Sequence, residues 1–425
     1  MITSAVHSWV DVDADSDFPI ENLPYGVFSH AEKRPHIGVA IGDRILDLHA
    51  CAGAGLFDNV AERAVLQAST LNALAAAGGA TWRAMRQRLS DLLAADSSEL
   101  RDRSDRDAMF VPQHGARMHV PVAIGDYVDF YSSLEHATNL GKIFRPDGEP
   151  LMPNWRWLPI GYHGRSSTIV IDGTPIARPA GQRKTPDASE PSVGPSRMLD
   201  IELEMGFITG PGNALGSAIP ARNAREHIFG LVLVNDWSAR DIQAWEYQPL
   251  GPFLGKSFAT SVSPWIVTLD ALEPFRVEGP VQSPAPLPYL RTEGAWNYDV
   301  TLQVLLETER MRANGDESAL VATSNFKHMY WNMAQQLAHV TINGTATRPG
   351  DLYASGTISG PTETSVGSLI ERTWRGTKPL KLANGETRAF LEDGDVITLR
   401  GYCERPGARR IGFGRVRGRI GAAGE

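Results

Sequence analysis

Short apolar runs separated by glycine- and proline-rich turns make up most of this chain after residue 118, and they constrain its fold more than any other feature. Many of the runs are rich in β-branched residues, which favour strands. The candidate strands are residues 228–235, 265–269, 298–306, 396–402 and 411–416. Strands and helices do not alternate regularly, so a doubly wound nucleotide-binding sheet is disfavoured. The sequence predicts a mainly β fold with some helix.

The N-terminal part of the chain has a different pattern. Apolar alternations at 18–48 predict small antiparallel strands. Apolar residues at helical spacing then predict two helices at 59–77 and 80–95, with Gly78 and Gly79 between them. We interpret these helices as a packing layer on the small β module.

The pattern changes from helical spacing to strands and turns near Met118, which predicts a domain boundary there. We therefore expect an N-terminal β domain with helical segments at 1–118 and a larger β-rich domain at 119–425. Within the second domain, residues 324–340 predict one helix with Ser324 as its N-cap.

The net negative charge of the chain argues against polyanionic partners. Its 425 residues include 41 Lys plus Arg and 49 Asp plus Glu, giving a net charge of -8. An acidic chain gives no electrostatic reason to expect nucleic acid or an anionic membrane as partner. A small-molecule substrate is the expected ligand.

Cysteine content and hydropathy indicate a reducing compartment. Cys51 and Cys403 lie far apart, without metal-ligand or redox spacing. The first 20 residues contain Asp11, Asp13 and Asp15, contrary to the plan of a signal peptide. No apolar run approaches the ~20 residues that a membrane-spanning helix needs. We expect a cytoplasmic protein.

An acidic run, Asp-Ile-Glu-Leu-Glu at 200–204, is the strongest candidate for a metal site. If this run is a strand, Glu202 and Glu204 point to the same face, because alternate residues of a strand do so. Burying both carboxylates requires a cation or protonation, and oxygen ligands suit hard ions such as Mg²⁺ or Ca²⁺. The alternative is a solvated strand face, which the two glutamates alone do not exclude.

Two aspartates strengthen the metal interpretation. Asp236 ends the apolar run at 229–235, so a buried strand delivers a carboxylate to its end. Asp129 lies in an aromatic-rich segment, where a charge needs a partner. Together with Glu202 and Glu204 they can form a four-carboxylate site for a hard metal.

A histidine follows Asp129 by seven residues. His136 near a metal site is a natural general base at neutral pH. The chain has eleven histidines, however, and any one of them can equally be a packed or surface residue.

Several segments, taken together and in this order, resemble the fumarylacetoacetase family of fumarylacetoacetate hydrolases. The resemblance extends over nearly the whole chain, including Phe-Pro-Ile at 18–20 and the segment at 22–28. The quoted motifs are Asp-Phe-Tyr-Ser-Ser at 129–133, His-Ala-Thr-Asn at 136–139, Met-Pro-Asn-Trp at 152–155, Leu-Pro-Ile-Gly-Tyr-His-Gly-Arg at 158–165, Asn-Asp-Trp-Ser-Ala-Arg-Asp-Ile-Gln at 235–243, Trp-Glu-Tyr at 245–247, Gly-Pro-Phe-Leu-Gly-Lys-Ser-Phe at 251–258 and Ser-Gly-Thr-Ile-Ser-Gly at 355–360.

The resemblance implies a small SH3-like barrel followed by a larger β-rich catalytic domain, associated as a homodimer. It also implies Mg²⁺ or Ca²⁺ as cofactor, with a further cation contact at two residues. Because an ammonium cannot coordinate a cation, Lys256 would use its backbone oxygen. The implied metal-binding residues are Asp129, Glu202, Glu204, Asp236, Lys256 and Thr260.

The same resemblance implies the reaction. It is the hydrolysis of a C–C bond in 4-fumarylacetoacetate, a β-diketo diacid, to fumarate and acetoacetate, which is the last step of tyrosine and phenylalanine breakdown. Metal chelation of the diketone makes the attacked carbonyl more electrophilic. His136 is then the base that activates water, and Glu371 orients it by fixing the imidazole tautomer. Taken alone, Glu371 can equally be a surface strand residue.

The remaining implied residues stabilise charge or bind substrate. Arg240, Gln243 and Lys256 resemble the oxyanion-hole and proton-donor group of the family. Carboxylate and carbonyl oxygens of an acidic substrate need cationic or hydroxyl partners. The implied substrate-binding residues are Tyr131, Arg145, Tyr162, Arg240, Gln243, Tyr247 and Thr357.

Two other functions remain open at this point. Relatives with the same metal site hydrolyse acylpyruvates or isomerise and decarboxylate oxo-diacids, although the full N-terminal module and the His136 segment favour the longer hydrolase branch. A non-enzymatic metal-binding protein of the same fold is disfavoured, because a binder needs neither a base nor an oxyanion hole.

Overall fold

The computed structural model describes residues 7–31 and 34–424. Residues 1–6, which begin the segment that lacks a signal-peptide pattern, therefore lie outside the described residues. In the described ranges, no helix has both the length and the apolar character needed to cross a bilayer.

The N-terminal module is a five-stranded antiparallel sheet with strand order β4-β3-β2-β1-β5 and helices between β3 and β4. Its strands are β1 (Tyr25–Ser29), β2 (His36–Ile41), β3 (Arg44–Asp47), β4 (Phe110–Pro112) and β5 (Arg117–His119). Its helices are α1 (Leu48–Gly53), α2 (Arg63–Leu66), α3 (Asn72–Ala76) and α4 (Gly78–Leu93).

The helix predicted at 59–77 is wrong as a single element. Only α2 and α3 form there, because turns interrupt the backbone on both sides of α2. The second predicted helix is confirmed as α4, whose residues Met85, Leu89 and Leu92 are buried. Gly78 and Gly79 do not separate the helices as predicted, since α4 begins at Gly78 and only Ala77 lies between α3 and α4. Gly78 has a φ of +80°, a conformation that favours glycine.

The rest of the chain is mostly β. Its strands are β6 (Tyr127–Phe130), β7 (Gly161–His163), β8 (Ile169–Ile171), β9 (Ile176–Ala177), β10 (Ala180–Arg183), β11 (Ser192–Pro195), β12 (Leu199–Asp200), β13 (Leu203–Thr209), β14 (Ile228–Asp236), β15 (Ser238–Ala239), β16 (Thr260–Val262), β17 (Val267–Thr268), β18 (Arg276–Val277), β19 (Asn297–Tyr298), β20 (Thr301–Glu307), β21 (Ala319–Asn325), β22 (Leu352–Ala354), β23 (Leu380–Lys381), β24 (Thr387–Arg388), β25 (Val396–Arg405) and β26 (Ala408–Gly421). Its helices are α5 (Leu134–Phe144), α6 (Arg240–Glu246), α7 (Leu254–Ser257), α8 (Leu269–Leu272), α9 (Glu309–Asn314), α10 (Met333–Thr341) and α11 (Leu369–Arg372).

Two sheets form the framework of this larger part. An eight-stranded sheet has the order β7-β6-β22-β13-β14-β16-β8, with β17 also paired to β14. A five-stranded sheet has the order β21-β20-β25-β26-β9. The expected fold class, mainly β with a small N-terminal domain and a larger β-rich domain, is confirmed.

The helix predicted at 324–340 is only partly correct. Residues up to Asn325 belong to β21, which pairs with β20, and α10 begins at Met333. Asn332 rather than Ser324 is the N-cap, because its side chain and that of Gln335 form a capping box. Pairing in the sheet therefore overrides local helix propensity in the first half of the segment.

Strand β14 is buried on both faces, and this joins the two parts of the chain. Leu231 and Leu233 belong to the core of the larger part. Val232 and Val234 belong to a second core, which includes the strands and helices of the N-terminal module. Because alternate residues of β14 enter different cores, its C-terminal residue, Asp236, is held in a fixed position.

Gly356, just after β22, packs closely against the backbone of Phe130 in β6, and a substitution there tests how tightly these strands pack. Its φ is +79°, and a Cβ at this position would lie 2.1 Å from the carbonyl oxygen of Phe130. We predict that Gly356→Ala lowers the free energy of unfolding by about 2 kcal/mol or more, because strain and a backbone clash add. Urea unfolding monitored by tryptophan fluorescence measures the change.

Gly407 is a matched control, since its φ is +81° but nothing lies within 4 Å of an added Cβ. Gly407→Ala should lower the free energy of unfolding by about 1 kcal/mol, because it adds backbone strain but no clash. Equal losses in the two variants would contradict the packing argument at Gly356.

Candidate metal centre and active site

Four buried carboxylates converge at one end of the eight-stranded sheet. One ligand atom from each of Asp129, Glu202, Glu204 and Asp236 lies within 4.8 Å of the corresponding atoms of the others. We call these four residues the carboxylate cluster. All four side chains are buried, so the solvated strand face considered for the two glutamates is excluded.

The strand pairing explains why the cluster forms. On β6, Asp129 is opposite Tyr162 of β7 and Ala354 of β22. On β14, Asp236 is opposite Thr260 of β16. Strands β6, β13 and β14 of one sheet therefore supply Asp129, Glu204 and Asp236, with β22 lying between β6 and β13.

Glu202 reaches the cluster differently from the way the sequence predicts. It precedes β13 and is not in a strand, whereas Glu204 is. The Glu202 backbone N–H donates to the Asn235 side chain at 3.1 Å, and its carbonyl accepts from the Asp236 N–H at 3.3 Å. These bonds to the end of β14 bring Glu202 beside Glu204 without regular strand alternation.

The protein compensates the charge of two members of the cluster only in part. Burial, with repulsion from Asp236, raises the pKa of Asp129 well above its ordinary value. Burial, with repulsion from Asp129 and Glu202, does the same for Glu204. Oδ1 of Asp129 and Oε1 of Glu204 are both buried without a hydrogen-bond partner.

These orphaned oxygens fit a hard divalent cation. Such ions take carboxylate oxygens as ligands, and a bound cation removes the repulsion that raises the two pKa values. The donor set contains neither the sulfur ligands that soft metals prefer nor the imidazole nitrogen that suits zinc, copper and iron.

Lys256 and Thr260 contact the cluster through their side chains. The Lys256 ammonium donates to Oε2 of Glu202 at 2.5 Å and to Oδ2 of Asp236 at 2.7 Å. Burial acts to lower the pKa of Lys256, but Asp236 and Glu202 raise it above its ordinary value, so the group is cationic. The Thr260 hydroxyl donates to Oδ1 of Asp236 at 2.7 Å. A direct cation contact by either residue stays a prediction.

His136 and Glu371 form a buried pair. Nδ1 of His136, on α5, lies 2.6 Å from Oε2 of Glu371, on α11. Burial acts to raise the pKa of Glu371, but His136 and neighbouring donors hold it below its ordinary value. Glu371 is therefore an ionised acceptor that favours the tautomer with its proton on Nδ1. The alternative of a surface strand residue is excluded.

Three further side chains fix the Glu371 carboxylate. Asn139 donates to Oε1 at 2.9 Å, and the Ser368 hydroxyl donates to Oε2 at 2.6 Å. The Ser359 hydroxyl lies 3.0 Å from each oxygen. None of these three residues is predicted to have a role from the sequence, although Asn139 and Ser359 lie in motifs that resemble the family.

Arg240 connects the cluster to its surroundings. Nη1 donates to Oε1 of Glu202 at 2.7 Å and to Oε1 of Gln243 at 3.2 Å. Nε donates to Asp200 at 2.8 Å. Nη2 is buried without a partner, as is the Thr357 hydroxyl. Both groups are therefore free to bind a ligand.

Neighbouring positive charges also keep the Glu202 carboxylate ionised. Burial acts to raise its pKa, but Lys256, Arg240 and His136 together lower it below its ordinary value. Geometry links this charged group to the His136–Glu371 pair, because Asp200 accepts from Nε of Arg240 at 2.8 Å and from the N–H of Ile370, the residue before Glu371, at 3.0 Å.

The candidate substrate-binding residues differ in their distance from the cluster. The Tyr162 hydroxyl donates to Oδ2 of Asp236 at 3.0 Å. The Tyr131 ring is 5.3 Å from the His136 ring. Arg145 donates to the Pro150 carbonyl through Nη2, while its Nε is buried without a partner. Tyr247 is 37% exposed, so it lies at the surface.

The Tyr247 ring centroid is 6.5 Å from that of Phe144, the residue before Arg145. The structure therefore brings Tyr131 and Tyr162 to the centre of the site. Arg145 follows the last residue of α5, and Tyr247, which follows α6, lies near that end of α5 through its contact with Phe144.

Comparison with known families identifies both parts of the chain. Residues 127–421 match the family described as fumarylacetoacetate (FAA) hydrolase C-terminal. Residues 21–121 match the family described as fumarylacetoacetase N-terminal.

Curated relatives are similar over nearly their whole length. Human fumarylacetoacetase is 53% identical, over 97% of this chain and 98% of the relative. The fumarylacetoacetase of Arabidopsis thaliana is 51% identical, with the same coverage of both chains.

Among solved structures, a fumarylacetoacetate hydrolase from Exiguobacterium antarcticum has a TM-score of 0.52 at 19% identity. The match covers 94% of this chain and 99% of that one. This similarity supports the fold.

Substitution of Glu204 tests the metal interpretation, because it should stabilise the metal-free protein but weaken metal binding. A raised pKa in the folded state means that ionised Glu204 costs stability once the pH exceeds its unfolded value, 4.5. We predict that Glu204→Gln raises the melting temperature of chelator-treated protein at pH 7.5. The same variant should bind Mg²⁺ or Ca²⁺ at least about tenfold more weakly, because a ligand charge is lost. Thermal unfolding with and without metal, and calorimetric titration, measure both effects.

The control is Glu273→Gln, at a partly exposed residue that pairs with Arg225 and Arg276. It should change neither the metal affinity nor the response to chelator. Wild-type metal affinity in Glu204→Gln would contradict the assignment of the carboxylate cluster.

Proposed function

We propose a mechanism in which this chain, a member of the fumarylacetoacetate hydrolase family and a hydrolase of the fumarylacetoacetase type, uses a histidine base and a metal site. The reaction is the cleavage of 4-fumarylacetoacetate to fumarate and acetoacetate. The observation that carries the mechanism is the hydrogen bond between His136 and Glu371 beside four buried carboxylates. A general base and a site for a hard cation are what hydrolysis of a β-diketone requires.

His136 activates the attacking water. Since Nδ1 is hydrogen-bonded to Glu371, Nε2 is the nitrogen that takes a proton from water. Glu371 stabilises the imidazolium that results, and its own donors keep the carboxylate oriented toward Nδ1. The hydroxide equivalent attacks the carbonyl carbon of the fumaryl group, which becomes the new carboxyl carbon of fumarate.

The C–C bond then breaks, and its electron pair moves to the acetoacetate carbon. Arg240, with Nη2 free, and Gln243 stabilise the negative charge that develops on oxygen. The Lys256 ammonium is the proposed proton donor to the departing carbon. The addition of water is complete when the proton that His136 took from water has been returned to the neutral Lys256 amine. Hydrogen bonds from Lys256 to Glu202 and Asp236 keep the ammonium at the cluster.

The carboxylate cluster is the proposed site of Mg²⁺ or Ca²⁺. When bound, such a cation polarises the diketone oxygens and offsets developing negative charge. Asp129, Glu202, Glu204 and Asp236 are its proposed ligands, with a further contact at Thr260 and at the Lys256 backbone oxygen.

The substrate carries a carboxylate at each end, and different residues are proposed to bind it. Arg145 has a guanidinium with an unpartnered Nε, which suits a terminal carboxylate. Burial raises the pKa of Tyr131 and of Tyr162, so both hydroxyls stay protonated. The Tyr131 hydroxyl can donate to a substrate oxygen, whereas the Tyr162 hydroxyl does so only in exchange for its bond to Asp236. Tyr247 and Thr357 are proposed to complete the binding site.

We also propose that the enzyme is a cytoplasmic homodimer that acts on a small β-diketo diacid, without nucleic acid or membrane as partner. Support for a reducing compartment comes from Cys51 and Cys403, which are both buried and unpaired. Mass measurement in solution tests the dimer.

Substrate comparison tests the reaction. Purified protein should consume fumarylacetoacetate and release equal amounts of fumarate and acetoacetate, as measured by absorbance and chromatography. Turnover of acylpyruvates or oxo-diacids, with none of fumarylacetoacetate, would contradict the proposal while leaving the metal site intact.

His136→Ala tests the assignment of the base. We expect kcat to fall by ~10²-fold or more, because general-base catalysis is lost, while metal content is unchanged. His339→Ala is the control, since His339 contacts Tyr289 rather than any assigned site residue. Normal turnover by His136→Ala would remove His136 from the mechanism.

A further inference from the structure

Asp200 lies between two elements of the active site and contacts both. Its side chain is fully buried. Oδ2 accepts from Nε of Arg240 at 2.8 Å and from the Ile370 N–H at 3.0 Å. Oδ1 accepts from the Leu369 N–H at 2.7 Å and from the Ile201 N–H at 2.8 Å. Both carboxylate oxygens are therefore fully used.

On one side, Asp200 determines how the Arg240 guanidinium is presented. With Nε bonded to Asp200, Nη1 contacts Glu202 and Gln243, and Nη2 remains free. A planar guanidinium held at Nε cannot rotate without breaking that bond. The backbone adds to this constraint, because Asp200 pairs with Ser238, two residues before Arg240.

On the other side, Asp200 caps the helix that carries Glu371. Helix α11 has a single turn, and Leu369 and Ile370 are its first two residues. The N-cap residue, Ser368, makes no side-chain cap bond, because its hydroxyl donates to Glu371. Asp200 supplies the missing acceptor from a distant part of the chain.

We propose that Asp200 is a positioning residue that fixes Arg240 and Glu371 relative to each other. The two groups act on opposite parts of the reaction: Arg240 stabilises charge on the substrate, and Glu371 orients the base. One buried carboxylate thus holds the oxyanion-stabilising group and the base in register. This inference rests on the proposed function.

Asp200→Asn tests the proposal. Asparagine preserves the shape but replaces one acceptor oxygen by an NH₂ donor, which opposes either Arg240 or the N–H groups of α11. We expect kcat to fall about tenfold or more, with KM changed by less than about threefold. Mg²⁺ affinity should remain near that of the wild type, since Asp200 contacts no carboxylate of the cluster.

Asp395→Asn is the matched control. Asp395 is also fully buried, and it accepts from Nε and Nη2 of Arg388 and from the Glu392 N–H. None of these partners is an assigned site residue. The control should lower the melting temperature to a similar extent, while kcat stays within about twofold of the wild type at a temperature where both variants are folded.

The outcomes separate the two proposals. A wild-type enzyme without activity on fumarylacetoacetate would overturn the proposed function, and this inference with it. An active wild type with an unchanged kcat in Asp200→Asn, or an equal kcat loss in Asp395→Asn, would overturn the positioning role alone.

If Asp200→Asn does not fold, Asp200→Glu is measured in the same way, because it keeps the charge but displaces the oxygens by one methylene. A selective loss of kcat would again support the proposal. Failure of both variants to fold would assign Asp200 to stability and overturn it.

Discussion

Mutual repulsion among four buried carboxylates is the constraint on which the rest of this structure depends. Four buried carboxylates whose ligand atoms lie within 4.8 Å of one another cannot all stay ionised unless positive charge lies nearby. Lys256 and Arg240 supply part of it, at Glu202 and Asp236. Asp129 and Glu204 keep unpartnered oxygens and raised pKa values, so the chain alone leaves the site short of positive charge. A divalent cation completes the balance.

The fold holds this unfavourable arrangement in place. Strand β14 has one face in the core shared with the N-terminal module and the other in the core of the larger part. Its last residue, Asp236, cannot move away from the other carboxylates without disturbing both cores. The N-terminal module is thus linked to the site by packing, although it contributes no residue to the carboxylate cluster.

Much of the site was predictable from sequence, because certain residue types are costly to bury without a function. Asp236 at the end of an apolar run and the glutamates at 202 and 204 indicated a metal site by that argument alone. The role of Glu371 came only from family resemblance, since a contact across 235 residues has no local signal. Asp200 was visible as the start of the acidic run, but its contacts with Arg240 and α11 depend on how distant segments pack.

The secondary structure likewise divides into elements with a strong local sequence signal and elements that depend on distant contacts. Strands such as β14 and the amphipathic helix α4 were predicted because their apolar spacing is strong and local. The helix predicted at 324–340 is wrong in its first half, where pairing with β20 decides the conformation. Glu202 also lies outside the strand expected for it, since bonds to Asn235 and Asp236 position it instead.

The most direct test of the account follows the fumarylacetoacetate absorbance during hydrolysis by purified enzyme, after treatment with chelator and again after Mg²⁺ or Ca²⁺ is restored. The account predicts that activity is lost with the metal and returns with it, since the carboxylate cluster requires a cation both to balance its charge and to polarise the substrate. Full activity in protein shown by elemental analysis to be metal-free would contradict it.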